Sequence, residues 1–469
     1  MIRIRTVVLL LACTCAVAGA AVVALTPKTV AQADQQPPPM GARTASEVSG
    51  FLGQMQAANV QRTIEKLVSF GTRHTLSSQT DPNRGIGAAR DYLFGEYQKV
   101  AATSHGRMTV QKQTFNQPPG PRDPNGAVVT NIVATLRGSQ PASSNRTYVI
   151  SGHYDSRCTD VLNSTCDAPG ADDDASGVAA VLEAARVMAT HKFDANIVFM
   201  AVAGEEQGLF GSTFFANSEK ANGVDVEGMF TNDIVGSSLG QNGIRDPNTV
   251  RLFAEGPPND ETATEASERK EMGSENDSQA RQLARYAKHV SDQAPTDMSV
   301  RLIYKRDRFL RGGDHIPFLQ NRFPAARFTE VNEDFRHQHQ DVRVENGVQF
   351  GDLTQFVDFD YATRVAKVNA ATMAALANAP ATPRNVRMHD SQLSTDTALE
   401  WDANTEPDLA GYEIVYRDTI SPFWTNTINV GNVTAFTVKN VTKDNFMFGV
   451  RAIDKDGNRS PVAFPHSVD

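Results

Sequence analysis

Histidine and acidic residues occur together in five short segments whose side chains could bind metal ions. The segments are His153-Tyr154-Asp155, Asp172-Asp173-Asp174, Glu205-Glu206, Asp233 and the stretch containing His337 and His339. Imidazole nitrogens and carboxylate oxygens are protein ligands of zinc. Two zinc ions that share one bridging residue need five protein ligands. This set supplies that number and a further carboxylate that could act as a base.

Each segment also has an ordinary explanation when it is considered alone. A His-x-Asp or Glu-Glu pair is typical of a solvated surface, and consecutive aspartates often begin a helix, where they accept hydrogen bonds from free N–H groups. These explanations do not predict that all five segments occur together. Asp155 has a more specific use, because residues i and i+2 of a strand face the same way and Asp155 can accept the second ring N–H of His153.

The strands and helices that precede these segments must position their side chains. Along the chain, strand-like and helix-like stretches alternate. Strand patterns cover 109–115, 128–136, 148–154, 196–203, 227–234 and 325–329, and helical patterns cover 86–100, 175–190 and 361–379. This alternation predicts an α/β domain with a largely parallel central sheet. Ligands bind such sheets beyond the carboxyl ends of the strands, where the candidate segments fall. Residues 236–278 interrupt the alternation and are interpreted as a long surface excursion.

Four of these motifs resemble, in order and at plausible spacing, the M28 family of dizinc exopeptidases, which includes secreted bacterial aminopeptidases. They are GHYDS (152–156), APGADDDASGVAAVLE (168–183), FMAVAGEEQGLFGS (199–212) and NDIVGS (232–237). The resemblance covers about residues 48–380. It implies a phosphorylase/hydrolase-like α/β fold and two co-catalytic zinc ions.

The resemblance also implies a role for individual residues. The implied metal ligands are His153 and Asp233 for the first zinc, Glu206 for the second, and Asp173 as the bridge between them. Glu205 would be the general base. In the family a cis peptide bond follows the bridging aspartate, so Asp174 would shape the turn that aims its carboxylate.

The last ligand is where the chain departs from the family pattern, which often has a Tyr-His pair. Here EDFRHQHQDVR (333–343) contains two histidines. We favour His339 because it stands just before a Gln-Asp pair that resembles the family's downstream aspartate, and His337 is the alternative. Asp314 and His315, in GGDHIPF (312–318), are interpreted as pocket residues or as residues behind the ligands.

The resulting hypothesis is an exopeptidase in which Glu205 takes a proton from water and passes it to the leaving amine. An acid-lined pocket suits an α-amino group and favours an aminopeptidase. Arg308 or Arg311 could instead hold a C-terminal carboxylate, which leaves a zinc carboxypeptidase open. Further alternatives are a glutaminyl cyclase-like enzyme, which has one zinc, and a non-catalytic receptor or adhesin on the same scaffold. The complete ligand set and base favour the dizinc enzyme over both.

The N-terminal region is typical of an exported protein. A basic start, an apolar stretch and Ala-Gln-Ala at 31–33 predict a signal peptide over residues 1–33. The protein is therefore expected to be secreted or periplasmic. Residues 34–47 are rich in Gln and Pro and are expected to be a flexible leader. In an exported protein, Cys158 and Cys166 are expected to form a disulfide.

Residues 383–469 contain short alternating runs separated by turn residues, which predicts a small antiparallel β-sandwich. Trp401, Tyr412 and FGVRAIDKDGNRS (448–460) resemble a fibronectin type III module, expected to fold independently and to dock to a surface or polymer. The net charge of −9, without long Lys/Arg runs, gives no sign of nucleic-acid binding. No segment after the signal approaches the ~20 apolar residues of a membrane span. Peptides or proteins are the expected substrates.

Overall fold

The computed structural model describes residues 36–468, so the predicted signal peptide lies outside the described residues. The helices are α1 (Ala42–Leu52), α2 (Ala57–Val68), α3 (Ile86–Ala102), α4 (Ala175–Met188), α5 (Glu205–Gly208), α6 (Phe210–Ala221), α7 (Ala263–Met272), α8 (Gln279–Gln293), α9 (His315–Gln320) and α10 (Phe359–Asn378). None of these helices combines the length and apolar composition needed to cross a bilayer.

The strands fall into two groups along the chain. The first group is β1 (Met108–Gln117), β2 (Ala127–Leu136), β3 (Arg146–His153), β4 (Asn196–Val202), β5 (Asp225–Asn232), β6 (Thr249–Ala254), β7 (Ser299–Ile303), β8 (Ala325–Glu330), β9 (Arg343–Glu345) and β10 (Val348–Phe350). The second group is β11 (Arg387–His389), β12 (Thr397–Glu400), β13 (Leu409–Asp418), β14 (Asn426–Gly431), β15 (Ala435–Val438), β16 (Phe446–Asp454) and β17 (His466–Val468).

An eight-stranded sheet with the order β1-β2-β4-β3-β5-β8-β6-β7 forms the centre of the first group. Its middle is parallel, with β3 paired to β4 and β5, and β5 paired to β8. β2 meets β4, and β6 meets β8, in antiparallel pairs. Every residue of β3 and β8 is buried, as expected for strands with helices on both faces. The predicted α/β class with a mostly parallel core is confirmed.

The first turn of α4 packs directly against the end of β3, and two glycines make this approach possible. A Cβ atom on Gly152 would lie 2.5 Å from the carbonyl carbon of Gly177. A Cβ atom on Gly177 would lie 2.2 Å from the carbonyl oxygen of Asn232 at the end of β5. The glycines of the GHYDS and DASG motifs therefore bring the ends of β3, β5 and α4 into contact.

The interpretation of 236–278 as a surface excursion is wrong for its central part. This stretch contains β6, which lies in the central sheet beside β8, and Val250 and Leu252 are fully buried there. The strand is only six residues long and lies between segments rich in Pro, Asn and Glu. That local composition hides a strand whose partners, β7 and β8, lie about fifty and about eighty residues further along the chain.

Residues 36–47 also differ from the flexible leader that their composition predicts. α1 begins at Ala42, and the segment before it packs against the C-terminal region. The Gly41 N–H donates to Asn458 Oδ1 at 2.9 Å, and the Arg459 N–H donates to the Pro39 carbonyl at 2.8 Å. Met40 is only 4% exposed. These partners are more than 400 residues away in sequence, so local composition carries no sign of them.

The C-terminal strands form two facing sheets, β15-β12-β11-β17 and β14-β13-β16, antiparallel except for the β11–β17 pair. Both sheets contribute to one apolar core, which contains Trp401 from the end of the first sheet's β12 and Tyr412 and Val450 from the second sheet. The rings of Trp401 and Tyr412 lie 5.3 Å apart. The predicted all-β sandwich is confirmed, with a core of its own.

The sandwich is nevertheless attached to the α/β domain by a buried polar contact. Asp277, which precedes α8, accepts hydrogen bonds from Arg285 at 3.1 Å and from Arg417 of β13 at 2.7 Å. Asp277 and both arginine side chains are at most 5% exposed. Trp424 of the sandwich donates its indole N–H to Gln282 of α8 at 3.1 Å. The ion pairs and indole contact couple the two regions.

Replacing Asp277 with Ala is expected to lower the free energy of unfolding by about 3–5 kcal/mol, because two buried guanidinium groups lose their shared carboxylate. Lys99→Ala is the matched control: it removes an ion pair whose lysine is 75% exposed, and such pairs contribute at most about 1 kcal/mol. Chemical denaturation followed by circular dichroism would measure both. Equal losses in the two variants would contradict a stabilising role for the interface.

Candidate metal centre

The central sheet brings the candidate residues to one edge, where its parallel strands end. His153 is the last residue of β3, and Asp233 directly follows β5. Glu205 and Glu206 begin α5 after β4, and Asp173 lies in the turn before α4. His339 lies in the loop that follows β8. This arrangement agrees with the sequence prediction that the candidate residues lie together at the carboxyl edge of the sheet.

Two groups of potential ligands share Asp173. In the first group, His153 Nε2 lies 3.1 Å from Asp173 Oδ1 and 3.8 Å from Asp233 Oδ2. In the second group, His339 Nε2 lies 2.9 Å from Asp173 Oδ2 and 3.0 Å from Glu206 Oε2. The ligand atoms of each group lie within 4.8 Å of one another. The two oxygens of one carboxylate thus face two separate ligand sets, which is the arrangement of a bridging ligand.

The chemistry of these groups fits bound cations. The three carboxylates are almost fully buried, and burying charge is costly unless it is compensated. Glu206 Oε1 is buried and has no hydrogen-bond partner, as suits an oxygen of a metal ligand. Burial opposes ionisation of Asp173, but the imidazoles of His339 and His153 more than offset it and lower the pKa of Asp173 well below its usual value. A carboxylate that favours its ionised form between two imidazoles suits a zinc centre.

Glu205 lies beside the ligands without belonging to either group. Burial raises the pKa of Glu205 well above its usual value. The charge of His153 opposes that increase, and the carboxylate of Asp233 adds to it. A carboxylate whose pKa is raised in this way is suited to accept a proton and then return it.

Asp155 is placed behind His153 but acts differently from the sequence prediction. The ring Nδ1 of His153 lies 3.2 Å from the backbone carbonyl of Asp155 and 3.7 Å from its carboxylate. The carboxylate instead accepts the backbone N–H groups of Glu205 at 3.3 Å and Glu206 at 3.1 Å. The hydroxyl of Thr75 also donates to it. Asp155 thus fixes the His153 ring by its carbonyl and the Glu205-Glu206 turn by its side chain.

Asp174 links the bridge to the helix and to the first ligand. The peptide bond between Asp173 and Asp174 is cis. One Asp174 oxygen accepts the Gly177 N–H at 2.9 Å and caps α4, and the other accepts the His153 N–H at 2.9 Å. Its carboxylate therefore holds the segment that carries Asp173 against the end of β3.

The structure brings His339, and not His337, to the ligand groups. His337 turns away and stacks on Phe356, with 3.5 Å between the ring centroids. His339 has a φ of 51°, in the left-handed region that non-glycine residues rarely occupy. Such conformations concentrate at functional sites, where the surrounding structure enforces them.

We expect His339→Ala to lower the zinc content by about one ion per chain and His337→Ala to leave it unchanged. Without His339, only Asp173 and Glu206 remain in the second group, which is too few protein ligands for a stable site. Plasma mass spectrometry of both variants after dialysis would measure this. The reverse pattern would make His337 the ligand.

Two buried groups next to the ligands were missed by the sequence reasoning. Arg327 of β8 is 1% exposed and holds Asp233 Oδ1 at 2.7 Å. Asp352 accepts the backbone N–H groups of Asp172 at 2.8 Å and Asp173 at 2.7 Å. An arginine inside an otherwise buried strand was a visible signal, because such a charge needs a partner. Asp352 follows a short hairpin and gave no comparable signal.

The remaining predicted pocket residues take different positions. Asp314 is fully buried without a hydrogen-bond partner, and burial raises its pKa to about 7. His315 Nε2 donates to the Arg306 carbonyl at 2.8 Å, and His315 belongs to neither ligand group. Arg308 forms an ion pair with Glu333, with 2.5 Å between Nη1 and Oε2. Arg311 contacts His339 Nδ1 at 2.7 Å.

The predicted disulfide between Cys158 and Cys166 is present. It closes the loop that joins His153 to Asp173. The loop is also tied to the His339 segment, since Thr159 and Asp341 exchange hydrogen bonds of 3.2 and 3.1 Å. The disulfide loop therefore borders the second ligand group.

Known proteins are similar to this chain in sequence and in fold. Peptidase family M28 matches residues 131–346. A probable zinc metalloprotease of Pyrenophora tritici-repentis is 50% identical over 421 residues, covering 89% of this chain and 86% of the relative. A probable zinc metalloprotease of Pyrenophora teres f. teres is 49% identical over the same coverage. The Legionella pneumophila LapA aminopeptidase structure has a TM-score of 0.51 at 20% identity, covering 76% of this chain and 78% of that chain, and shares the fold.

Together with the similarity to zinc metalloproteases, an α/β sheet with two histidine–carboxylate groups at its carboxyl edge defines a metal-dependent hydrolase. The identity to the zinc metalloproteases extends over most of both chains. The chain therefore belongs to peptidase family M28 and is a metallopeptidase. The sequence resemblance was to a family that includes secreted bacterial enzymes, whereas these relatives are fungal.

Proposed function

We propose that this metallopeptidase is an exported dizinc aminopeptidase that removes N-terminal residues from peptides. The observation that carries the proposal is the division of the two Asp173 oxygens between two ligand groups. His153 and Asp233 would complete the first zinc site, and Glu206 and His339 the second. A glutaminyl cyclase-like enzyme with one zinc would not need both groups.

The residues around the centre suit peptide hydrolysis. Zinc bound there would supply Lewis-acid polarisation of the scissile carbonyl and lower the pKa of water to about 7. Glu205 accepts the proton from the attacking water and returns it to the leaving amine. Asp155 holds the backbone of Glu205 and Glu206, so that the base and the adjacent ligand keep fixed positions.

The charge of the pocket supports the choice of aminopeptidase. Glu205, Asp233 and Asp314 are acidic groups whose charges act on one another at the first ligand group. An α-ammonium group is complementary to such surroundings, whereas a C-terminal carboxylate would be repelled from them. The free amine of a peptide is therefore expected on this side of the centre.

Export and docking are further parts of the proposal. The signal-like N-terminus supports secretion, and the disulfide suits an oxidising compartment. The C-terminal sandwich resembles a fibronectin type III module in its sequence and contains no proposed zinc ligand. We assign it a role in holding the enzyme at a surface or on a large substrate.

A panel of aminoacyl-arylamides, tested with and without a chelator, examines the activity directly. Hydrolysis that is lost on chelation and restored by zinc is the expected result. N-acetylated dipeptides should resist the enzyme, because they lack a free amine. Cleavage of the acetylated dipeptides without cleavage of the arylamides would identify a carboxypeptidase instead.

A further inference from the structure

Two arginines converge on the ligand His339 from different segments. Arg157 Nη2 and Arg311 Nη1 each lie 2.7 Å from His339 Nδ1. Arg157 Nε also donates to Glu206 Oε2 at 3.0 Å. Both arginines are half-buried, with the Arg157 side chain 16% exposed. Two positive charges therefore lie at the second ligand group, in contrast to the acidic groups around Glu205.

These contacts are incompatible with a His339 that binds metal through Nε2. A neutral imidazole bound through Nε2 carries its hydrogen on Nδ1, so that nitrogen is a donor and cannot accept from a guanidinium. Glu206 Oε2, the other partner of Arg157, is itself a proposed ligand atom. When a metal ion binds the second ligand group, the N–H donors of Arg157 and Arg311 that now point at His339 become available to another acceptor.

Within residues 36–468, Arg311 makes no ion pair, and its further contact is a weak hydrogen bond of 3.4 Å to Gln338. Neighbouring arginines differ in this respect: Arg308 pairs with Glu333, and Arg336 pairs with Asp334. Arg311 is therefore not explained as part of a structural ion pair.

The two arginines reach the same ring nitrogen of His339 from separate loops, and the loop of Arg157 is held in place. Arg157 directly precedes Cys158, whose disulfide closes the adjoining loop. The paired hydrogen bonds between Thr159 and Asp341 tie this loop to the segment of His339. Arg311 comes from the loop before α9. Guanidinium groups that converge in this way suit a planar carboxylate, which they bind with paired hydrogen bonds.

We propose that Arg157 and Arg311 form a substrate-carboxylate site at the second ligand group, and that the enzyme prefers peptides that present a carboxylate beyond the scissile bond. This inference rests on the proposed peptidase function and adds the class of substrate. The carboxylate has two sources, the free C-terminus of a short peptide or an acidic side chain near the cleaved bond. Either source has the same chemistry at the two guanidinium groups.

Matched peptides distinguish the sources with the full-length, zinc-loaded protein. Leu-Gly-Gly is compared with Leu-Gly-Gly amide, and Leu-Asp-Gly amide with Leu-Asn-Gly amide. We expect at least one acid to exceed its neutral partner by about tenfold in kcat/KM, mainly through KM, as charge-assisted hydrogen bonds allow. A preference in the first pair assigns the C-terminus, and a preference in the second assigns the side chain.

The double variant R157Q/R311Q tests the residues themselves. It is expected to reduce the acid-to-neutral ratio to about one, whereas Arg336→Gln, in the same segment as His339, should keep the ratio. Zinc content is measured in each protein. Isothermal titration with N-acetylleucine and its amide provides a readout without turnover: the acid should bind the wild type at least about tenfold more tightly than the double variant.

The outcomes separate this inference from the proposed function. Arylamide hydrolysis without any acid preference would overturn the carboxylate site and leave the aminopeptidase. A preference that persists in a double variant with full zinc content would also overturn it. If arylamides are not cleaved, the proposed function fails, and the binding of N-acetylleucine still decides the inference. Equal binding by wild type and variant would then reject it.

Discussion

Replacing Glu205 with Gln is expected to lower kcat by about 10²–10⁴-fold while the protein keeps its full zinc content. The amide has the shape of the carboxylate but cannot accept a proton from water. Glu205 belongs to neither ligand group, so its replacement removes no metal ligand. Steady-state kinetics on an aminoacyl-arylamide, together with mass-spectrometric zinc analysis, would measure both effects.

Glu206→Gln is the matched control, because it changes the adjacent residue of the same turn. Glu206 Oε2 lies 3.0 Å from His339 Nε2 in the second group, so this variant should lose zinc as well as activity. Near-normal turnover of the Glu205 variant would show that the roles within the Glu-Glu pair are wrongly assigned. Loss of zinc from the Glu205 variant would lead to the same conclusion.

Asp173→Ala is expected to remove the zinc of both sites and reduce activity to background. Its two oxygens serve the two groups separately, so each site loses a ligand at once. Two protein ligands then remain in each group, fewer than zinc sites in enzymes normally have. Zinc analysis after dialysis and far-ultraviolet circular dichroism would show whether the metal is lost from a folded protein.

Asp172→Asn serves as the control for the bridge, because it changes the neighbouring aspartate. Asp172 Oδ1 accepts the Gly236 N–H at 2.6 Å, an interaction that an asparagine oxygen can keep. Burial raises the pKa of Asp172 to about 6, so a neutral side chain is tolerable there. This variant should keep its zinc. If Asp173→Ala lost only one ion per chain, Asp173 would be an ordinary ligand and not a bridge.

The sequence was informative wherever local pattern decides structure. The apolar runs that became β3 and β4 predicted strands of the sheet, and the carboxyl ends of such strands predicted a common edge. His339 was favoured over His337 from its position beside the Gln-Asp pair. The structure adds the reason: His337 stacks on Phe356, whereas His339 turns to the ligands.

The sequence was uninformative where the decisive contact is distant along the chain. Gly41 bonds to Asn458, so the composition of the N-terminal segment alone suggested flexibility. Asp155 was expected to serve the ring of His153, but its carboxylate is taken by the Glu205 and Glu206 N–H groups, which only the folded turn presents. Arg327 was visible as a charge in an apolar strand, but its partner could not be deduced.

The zinc content of the purified, full-length protein tests the central claim most directly. Mass spectrometry, combined with stepwise return of zinc to the chelated enzyme, relates the number of bound ions to activity. The two ligand groups predict two zinc ions per chain, with full activity only when both are bound. Full activity at one zinc per chain, with no further change on adding a second, would contradict the dizinc centre.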